Sequence, residues 1–255
     1  MALDLLPVLP AAADLLRHWP DAAEAGAASP RLARFCLAVF GQDVAADGPG
    51  RRNQRLLLLH RALTGRLPEA QMICPHCAAA NEVALPVDAL LALPAPAAGS
   101  LVGLTAAAGP MRAGLPAAGD PLAADPLRLA RSLIAGADAR AFTAADLPAL
   151  AAAWEEADPA GSLTLGLDCA GCGQGFAALA DPAAFVAPVL DALIDRLFRE
   201  IDLIARAYGW SEGEILALPE NRRRRYVGMI LATGSAGTGT TGAVPARRLA
   251  AGGRA

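Results

Sequence analysis

The chain has 255 residues, of which 55% are hydrophobic, enough for one large domain or two smaller ones. No uninterrupted apolar run reaches the roughly 18 residues of a membrane-spanning helix, so no membrane span is expected. The net charge of −3 hides an asymmetry, because twelve arginines face twenty acidic residues up to residue 195, whereas ten arginines face five from Arg196 onward. A basic C-terminal part is typical of a solvated surface, a protein-facing patch or a nucleic-acid-binding surface.

The first ten residues lack the basic leader of a secretion signal and contain Asp4 and two prolines. We therefore expect a cytoplasmic protein, in a reducing compartment where paired cysteines are more often metal ligands than disulfides. Helices are predicted at about 11–19, 29–40 and 51–63, and together they form an N-terminal helical region, residues 1–66. Cys36 and His60 lie in the second and third of these helices. Both are interpreted as structural residues, Cys36 as a small buried hydrophobic side chain.

Four of the five cysteines form two CxxC pairs, at residues 74–77 and 169–172. Each pair lies between alternating apolar stretches, a pattern that predicts the turn of a β-hairpin. Two such turns, known as zinc knuckles, can together supply four thiolates at about 2.3 Å from a tetrahedral zinc ion. One structural Zn²⁺ is therefore predicted, with the ligands Cys74, Cys77, Cys169 and Cys172. His76 is expected to point outward, and Gly173 and Gly175 to let the backbone turn close to the metal.

The 91 residues between Cys77 and Cys169 far exceed the roughly 15 to 20 of a compact four-cysteine finger. Such an insertion must contain structure of its own. We predict two strands and two helices, at about 101–105, 111–115, 126–135 and 143–157. Thr143 and Asp146, three residues apart, predict a capping box at the start of the last helix. Residues 67–180 are thus predicted to be a mixed α/β region that the metal site closes.

The C-terminal region, residues 181–231, is predicted to be helical. Its longest helix begins at Asp181–Pro182 and reaches about Tyr208. One face of this helix carries apolar residues at spacings of three and four, namely Leu190, Ile194, Leu197, Ile201, Ile204 and Tyr208. Such a face either covers the core of its own domain or contacts another subunit.

Two shorter helices follow the long one. Ser211 and Glu214 have the spacing of a capping box at the start of the first, and the second is predicted at about 221–231. The second carries four arginines, Arg222–Arg225, near its N-terminus, where cations oppose the helix dipole. Their presence there favours an acidic partner. The Gly/Ala/Thr-rich segment 232–255 is predicted to be a disordered tail.

Two other chemistries are compatible with parts of this pattern. Cys-Pro-His-Cys is also an active-site sequence of some thioredoxin-fold oxidases, but these place the first cysteine at a helix N-terminus, and residues 78–86 predict a turn and a strand. A zinc-ribbon nucleic-acid-binding protein is the alternative function, yet neither CxxC pair is interleaved with basic and aromatic residues. No GxSxG, HExxH or phosphate-binding glycine loop occurs, so we predict a non-enzyme without a small-molecule substrate.

The segment 201–226 resembles a recurring pattern in small proteins of contractile tails. Its elements are a tyrosine, a Trp-Ser-Glu turn, an Ile-Leu pair, a proline and an arginine cluster before a second tyrosine. With two CxxC pairs, the second leading to Asp181–Pro182, the chain looks most like the baseplate hub assembly proteins, or hub assembly chaperones, of T-even-like phages and related contractile injection particles. The resemblance extends from about Arg51 to Ile230, except in the Gly/Pro-rich stretch 93–125.

Taken together, the residue patterns predict an α+β protein, mostly helical, with a zinc-ribbon-like pair of β-hairpin knuckles and a long C-terminal helix followed by two short helices. The resemblance implies that the protein acts in protein–protein contacts during virion assembly. The expected partners are baseplate, hub or spike proteins, and the assembled tail particle is a second expected location. The four paired cysteines carry over as metal ligands. Eight other residues carry over as a characteristic motif and as candidate partner-binding residues: Tyr208, Trp210, Ile215, Leu216, Arg222, Arg223, Arg224 and Arg225.

Overall fold

The computed structural model describes residues 10–22, 28–120 and 124–236. Contacts along the chain divide it into two compact units, residues 1–194 and 195–255. The helices are α1 (Ala12–Ala22), α2 (Ala28–Phe40), α3 (Pro49–Thr64), α4 (Val87–Leu91), α5 (Pro126–Leu133), α6 (Leu147–Ala157), α7 (Pro182–Tyr208), α8 (Glu212–Leu216) and α9 (Glu220–Ala236). The strands are β1 (Glu69–Ile73), β2 (Ala80–Ala84), β3 (Leu101–Ala106), β4 (Gly109–Gly114), β5 (Thr164–Asp168) and β6 (Gly175–Leu179). The predicted α+β architecture is confirmed.

The six described strands form three separate antiparallel hairpins, β1–β2, β3–β4 and β5–β6, all in the first unit. In the first hairpin the last pair before the turn is Ile73 with Ala80, and in the third it is Asp168 with Gly175. Both CxxC pairs therefore lie in the turns of hairpins, as their flanking alternation predicts. Of the three described hairpins, the first and the third bear the cysteines.

The insertion between the two cysteine-bearing hairpins has its own core. The hairpin β3–β4 packs against α5 and α6, and the shared cluster contains Leu104, Met111, Ala113, Ala130, Ile134, Phe142 and Leu150. Both predicted strands and both predicted helices are present there. The Thr143–Asp146 capping box is present too, and Asp146 Oδ1 also accepts the Ala107 amide at 2.7 Å. Asp146 thereby ties the start of α6 to the β3–β4 turn.

A second core lies beneath the cysteine-bearing hairpins. It combines residues of α3, of the segment after β2 with α4, and of the positions just before β5 and just after β6, namely Leu57, Leu85, Val87, Leu90, Leu163 and Ala180. Leu85 and Val87 come after β2, not in it as part of a return strand, because the chain turns into the short helix α4. Leu85 and Val87 alternate because both side chains are buried on the same side of the chain. A strand that leads into a helical turn can bury two such residues as well as a longer strand can.

Buried polar side chains of α3 hold the loops that carry the hairpins. Asn53 Nδ2 donates to the carbonyls of Ala160 and Gly161 at 2.9 and 3.1 Å. Gln54 Nε2 donates to three carbonyls, those of Leu90, Leu91 and Leu93, at 2.9 to 3.3 Å. Loop carbonyls that would otherwise be buried without partners are thus satisfied. These contacts join α3 to the loops before and after the insertion.

Asp158 caps the N-terminus of α3 from 108 residues away, with Oδ2 accepting the Gly50 amide at 2.8 Å. A Cβ on Gly50 would lie 1.9 Å from Asp158 Oδ1, so glycine is required at position 50. Burial raises the pKa of the Asp158 carboxyl above its ordinary value. Since the carboxylate meets the positive end of the helix dipole, the contact helps to orient α3 against the loop before β5.

The second unit consists of the C-terminal part of α7 with α8 and α9. The Ser211–Glu214 capping box is present, with Ser211 N donating to Glu214 Oε2 at 2.8 Å and Glu214 N donating to Ser211 Oγ at 3.3 Å. Helix α9 runs to Ala236 and is longer than the predicted 221–231, because no proline interrupts it after Leu231. Of the predicted tail, 232–255, residues 237–255 lie outside the described part of the chain.

The long helix α7 spans the predicted range, Pro182 to Tyr208, with Pro188 inside it. The residues of its apolar face are buried from Leu190 to Ile204, and Tyr208 is 39% exposed. The face therefore serves mainly as core. Among the described helices, none has both the length and the apolar character needed to cross a membrane.

Candidate metal centre

The first cysteine turn, residues 74–79, is closed by two backbone hydrogen bonds. The Cys74 amide donates to the Ala79 carbonyl at 2.9 Å, and the Ala78 amide donates to the Cys74 carbonyl at 2.9 Å. The amide of His76 points at Cys74 Sγ, 3.4 Å away. The His76 side chain is exposed, as expected. One backbone amide of this turn therefore points at the sulfur of its first cysteine.

The second cysteine turn, residues 169–174, repeats this arrangement. The Cys169 amide donates to the Gln174 carbonyl at 3.0 Å, and the Gly173 amide donates to the Cys169 carbonyl at 2.8 Å. The Gly171 amide points at Cys169 Sγ at 3.3 Å, as His76 does in the first turn. Two segments of different sequence thus adopt equivalent backbones around their first cysteine.

The four paired cysteines meet at one point, although the two pairs are far apart in the sequence. Cys74 Sγ lies 3.8 Å from Cys172 Sγ, and Cys77 Sγ lies 3.6 Å from Cys169 Sγ. All four sulfur atoms lie within 4.8 Å of one another. A regular tetrahedron with metal–sulfur bonds of about 2.3 Å has sulfur–sulfur edges of about 3.8 Å. The donor set therefore fits a tetrahedral thiolate-bound metal, and all the cysteines are free of disulfide bonds.

The cluster is half buried. Cys74 and Cys169, the first cysteines of the two pairs, are 1% and 3% exposed, whereas Cys77 and Cys172 face solvent. Backbone amides, first that of Cys172 and then that of Gly171, lower the pKa of the Cys169 thiol to about 6. A sulfur that is ionised near neutral pH is ready to bind a cation without losing a proton first.

Asn81 joins the two cysteine turns, and the sequence analysis missed it. Its Oδ1 accepts the Ala170 amide at 2.9 Å, while its Nδ2 donates to the carbonyls of Ala79 and Met72 at 3.1 and 3.3 Å. The same Nδ2 lies 3.8 Å from Cys169 Sγ. Asn81 occupies an inward position of β2, where the alternation of the strand calls for an apolar residue. A polar residue at a core position must find hydrogen-bond partners, so the sequence could have indicated a structural role for Asn81.

Replacing Asn81 with Asp is expected to weaken metal binding about 10- to 100-fold, as typically found for partners that orient metal ligands. The carboxylate keeps the acceptor for the Ala170 amide but loses the donor to two carbonyls and adds negative charge beside four thiolates. Competition with a chromophoric chelator measures the change. Asn53→Asp, at the other buried asparagine, is the control and should leave metal affinity unchanged even if stability falls. If N81D and the unsubstituted protein compete equally with the chelator for the metal, Asn81 does not orient the metal ligands.

The two turns approach each other closely at Gly171, where a larger side chain would have to displace its neighbour. A Cβ there would lie 3.0 Å from Ala79 Cβ and 3.6 Å from Cys77 Sγ. Gly173 has φ +73°, which fits the predicted need for a turning backbone, whereas Gly175 is part of β6 and has ordinary strand geometry. Gly171 is thus a point of close approach between the two turns that the sequence pattern does not single out.

Ala78 and Gly173 occupy equivalent positions with positive φ, +58° and +73°. An alanine in this left-handed region is strained, and a glycine is not. Gly173→Ala is expected to lower the free energy of unfolding by about 1 kcal/mol, and Ala78→Gly to raise it by about 0.5 kcal/mol. Chemical denaturation of the metal-loaded protein measures both. A Cβ at position 173 would meet nothing within 4 Å, so the cost comes from the backbone alone. Shifts of the same sign in both variants would contradict this assignment.

Three other interpretations of the sequence concern the redox alternative at Cys74 and the roles of His60 and Cys36. Cys74 sits in a turn between two strands, not at a helix N-terminus, so the feature that activates thioredoxin-type cysteines is missing from this turn. His60 is buried in α3, where burial lowers its pKa, and it is not part of the cysteine cluster. Cys36 is buried in α2, and burial raises its pKa to about 12. Such a thiol is inert, in line with its predicted packing role.

The eight candidate partner-binding residues divide into two groups. Ile215 is fully buried and Arg223 is 5% exposed, so neither can touch a partner directly, and the prediction for these two is corrected. Arg223 donates from Nε to Glu200 Oε2 at 3.3 Å and from Nη1 to the Leu218 carbonyl at 2.7 Å. Its role is to hold α9 against α7 and the end of α8. The other six are exposed or half-buried: Tyr208, Trp210, Leu216, Arg222, Arg224 and Arg225.

Comparison with known proteins identifies no relative. No protein-family model matches the chain, no curated protein matches it, and no solved structure matches its fold. What can be said of function therefore depends on the cysteine cluster, on the surfaces of the two units and on the motif in the C-terminal region.

Proposed function

We propose that the chain is a zinc-stabilised, non-enzymatic structural or assembly protein, chaperone-like in action, for the baseplate hub of a contractile phage tail or a tail-like injection system. Its partners are baseplate, hub or spike proteins. It acts in the cytoplasm, and the finished particle is a second place in which it resides.

The observation that carries the metal part is the meeting of four thiol sulfurs within 4.8 Å, supplied by two CxxC pairs that 91 residues separate in the sequence. Zinc prefers four thiolates in tetrahedral geometry, and four protein ligands leave no position for water or substrate. The ion would therefore act as a cross-link between β1–β2 and β5–β6, the two hairpins that enclose the insertion. A structural metal of this kind supports a binding surface and performs no reaction itself.

The assembly part is supported by the sequence motif in residues 201–226 and by the way the second unit presents it. Tyr208, Trp210 and Tyr226 form one ring cluster, and the capping box at Ser211 fixes the start of α8 directly after the link from α7. A rigid, partly apolar surface is suited to protein–protein contacts.

A zinc-ribbon nucleic-acid-binding function receives less support from the cysteine turns. The exposed residues of these turns are His76 and small or uncharged residues, and no arginine lies in residues 74–79 or 169–174. Phosphate contacts that make binding strongly salt-dependent need several cations close together. A low-salt titration with single-stranded and duplex DNA tests this function, and tight binding with a steep salt dependence would favour it.

Affinity capture from the native host, followed by mass spectrometry, tests the assembly function. Recovery of baseplate, hub or spike proteins is the expected result, together with about one zinc per chain in freshly purified, reduced protein. Recovery of no tail protein from cells that are assembling particles would overturn the assembly function and leave the metal site to its own test.

A further inference from the structure

One face of α9 combines two exposed arginines with apolar side chains. Arg222, Arg225, Tyr226 and Met229 are spaced at three, four and seven residues from the first, so they lie on the same side of the helix. Arg222 and Arg225 are exposed, and Met229 is 52% exposed. With Tyr208 and Trp210, which contact Tyr226, these residues make up what we name the arginine–aromatic corner.

The two arginines of the corner have no acidic partner among the described residues. Their neighbours in sequence are paired: Arg223 with Glu200 at 3.3 Å, and Arg224 with Glu220 at 2.6 Å. Arg222 lies in the first turn of α9, where the helix dipole is itself positive, and Arg225 lies one turn later, where the dipole is weaker but Arg222 is a neighbouring cation. Placing two unpaired cations there is unfavourable in the free protein, and a carboxylate bound at this position would relieve that cost.

The three rings of the corner are packed against each other. Tyr208 and Trp210 stack with centroids 5.2 Å apart, and Tyr226 meets both edge-on at 5.5 and 5.1 Å. Because the stacked rings cover each other's faces, less ring surface remains for the stacking of nucleic-acid bases. The three rings instead form a partly exposed apolar surface, and Met229 lies three residues after Tyr226, on the same side of α9. Such a surface can anchor an apolar side chain of a partner protein.

We propose that the arginine–aromatic corner docks an acidic segment of a partner protein. Two carboxylates of that segment, about one helical turn apart, pair with Arg222 and Arg225, and an apolar side chain between them packs on Tyr226 and Met229. The proposal rests on the proposed assembly function and specifies its binding surface. It assigns to Arg222 and Arg225 a role that Arg223 and Arg224, already paired within the unit, do not share.

Fluorescence anisotropy with a labelled helical peptide tests the proposal. The probe carries two glutamates four residues apart with a leucine between them, and a matched peptide has lysines in place of the glutamates. The full-length zinc-loaded protein is expected to bind the glutamate peptide and not the lysine peptide. Arg222→Gln with Arg225→Gln should weaken binding at least about tenfold. Arg66→Gln with Arg128→Gln, which removes the same charge from exposed positions of the first unit, should not.

The apolar contact has a separate test. Met229→Ser should weaken binding of the leucine peptide and have little effect on a peptide with serine in place of leucine, as a double-mutant cycle requires for a direct contact. All variants change exposed side chains, and their melting curves should match that of the unsubstituted protein. Absence of glutamate-peptide binding, or equal binding by the R222Q/R225Q protein, overturns the proposal. Binding of a single-stranded oligonucleotide in preference to the peptide also overturns it.

The two proposals can fail independently. If tail proteins are captured equally well by the unsubstituted protein and by the R222Q/R225Q variant, the assembly function stands and the corner is excluded as its surface. If the peptide binds the corner but no tail protein is captured, the surface stands and the assembly function is overturned. Loss of both capture and peptide binding in the double variant supports both.

Discussion

Replacing Cys74 with Ser is expected to abolish metal binding and to unfold both cysteine-bearing hairpins together. Cys74 is 1% exposed, so a serine leaves a buried hydroxyl in place of a metal bond. Structural zinc sites contribute on the order of 10 kcal/mol to the folding of small zinc-binding peptides, which exceeds the total stability of many domains. Metal analysis and thermal unfolding with and without a strong chelator measure the loss.

Hydrogen exchange should localise this effect. Amides of β1, β2, β5 and β6 are expected to lose protection, while the core of the insertion, around Leu104, Phe142 and Leu150, is built without cysteine and should keep more of it. Cys36→Ala, at the buried cysteine outside the cluster, is the control and should retain one metal ion per chain. A metal-free purified protein, or a C74S protein with unchanged melting and no response to chelator, would contradict the prediction.

Replacing Arg223 with Met is expected to lower the free energy of unfolding of the second unit by about 3 kcal/mol. The substitution keeps the apolar stem but leaves Glu200, whose side chain is 8% exposed, without its main cation. A buried carboxylate that loses its partner retains the full desolvation cost. Arg196 Nε lies 3.7 Å from the other carboxylate oxygen of Glu200 and still offsets part of its negative charge. The expected loss is therefore at the lower end of the roughly 3 to 5 kcal/mol found when a buried ion pair is broken. Urea denaturation measures it.

Two further variants separate a lost ion pair from general damage to α9. Arg224→Met removes an exposed pair with Glu220 and should cost less than about 1 kcal/mol. Adding Glu200→Gln to Arg223→Met should recover part of the stability, because the stranded charge is gone. A cost for R224M equal to that for R223M, or no recovery in the double variant, would contradict the buried ion pair. None of these three substitutions changes a residue of the arginine–aromatic corner, so none should affect peptide binding there directly.

Local patterns predicted much of the fold because their causes are local. The capping boxes at Thr143 and Ser211 depend on residues three apart, and both are present. The hairpins around the two CxxC pairs follow from alternation and turn residues within about fifteen positions. The strand predicted within residues 78–86 ends earlier, at Ala84, because the alternation of buried residues continues to Leu85 although the chain has already left β2.

Contacts between distant segments could not be predicted in this way. Asn81 is one polar residue in a strand until its amide is seen between the two cysteine turns. Gly50 looks like an ordinary glycine near a helix start, and only the carboxylate of Asp158, 108 residues later, explains it. Each of these roles depends on a contact between two distant segments, and the sequence of one segment does not show which other segment it contacts.

The four cysteines and their hairpin turns could be predicted without the structure, because paired metal ligands and turn residues are neighbours in the chain. The tertiary structure decided which of four consecutive arginines is structural. Successive residues of a helix point about 100° apart, so only the position of Glu200 buries Arg223 and leaves Arg222 and Arg225 facing solvent. Identical side chains thus acquire different roles from the surface against which their helix packs.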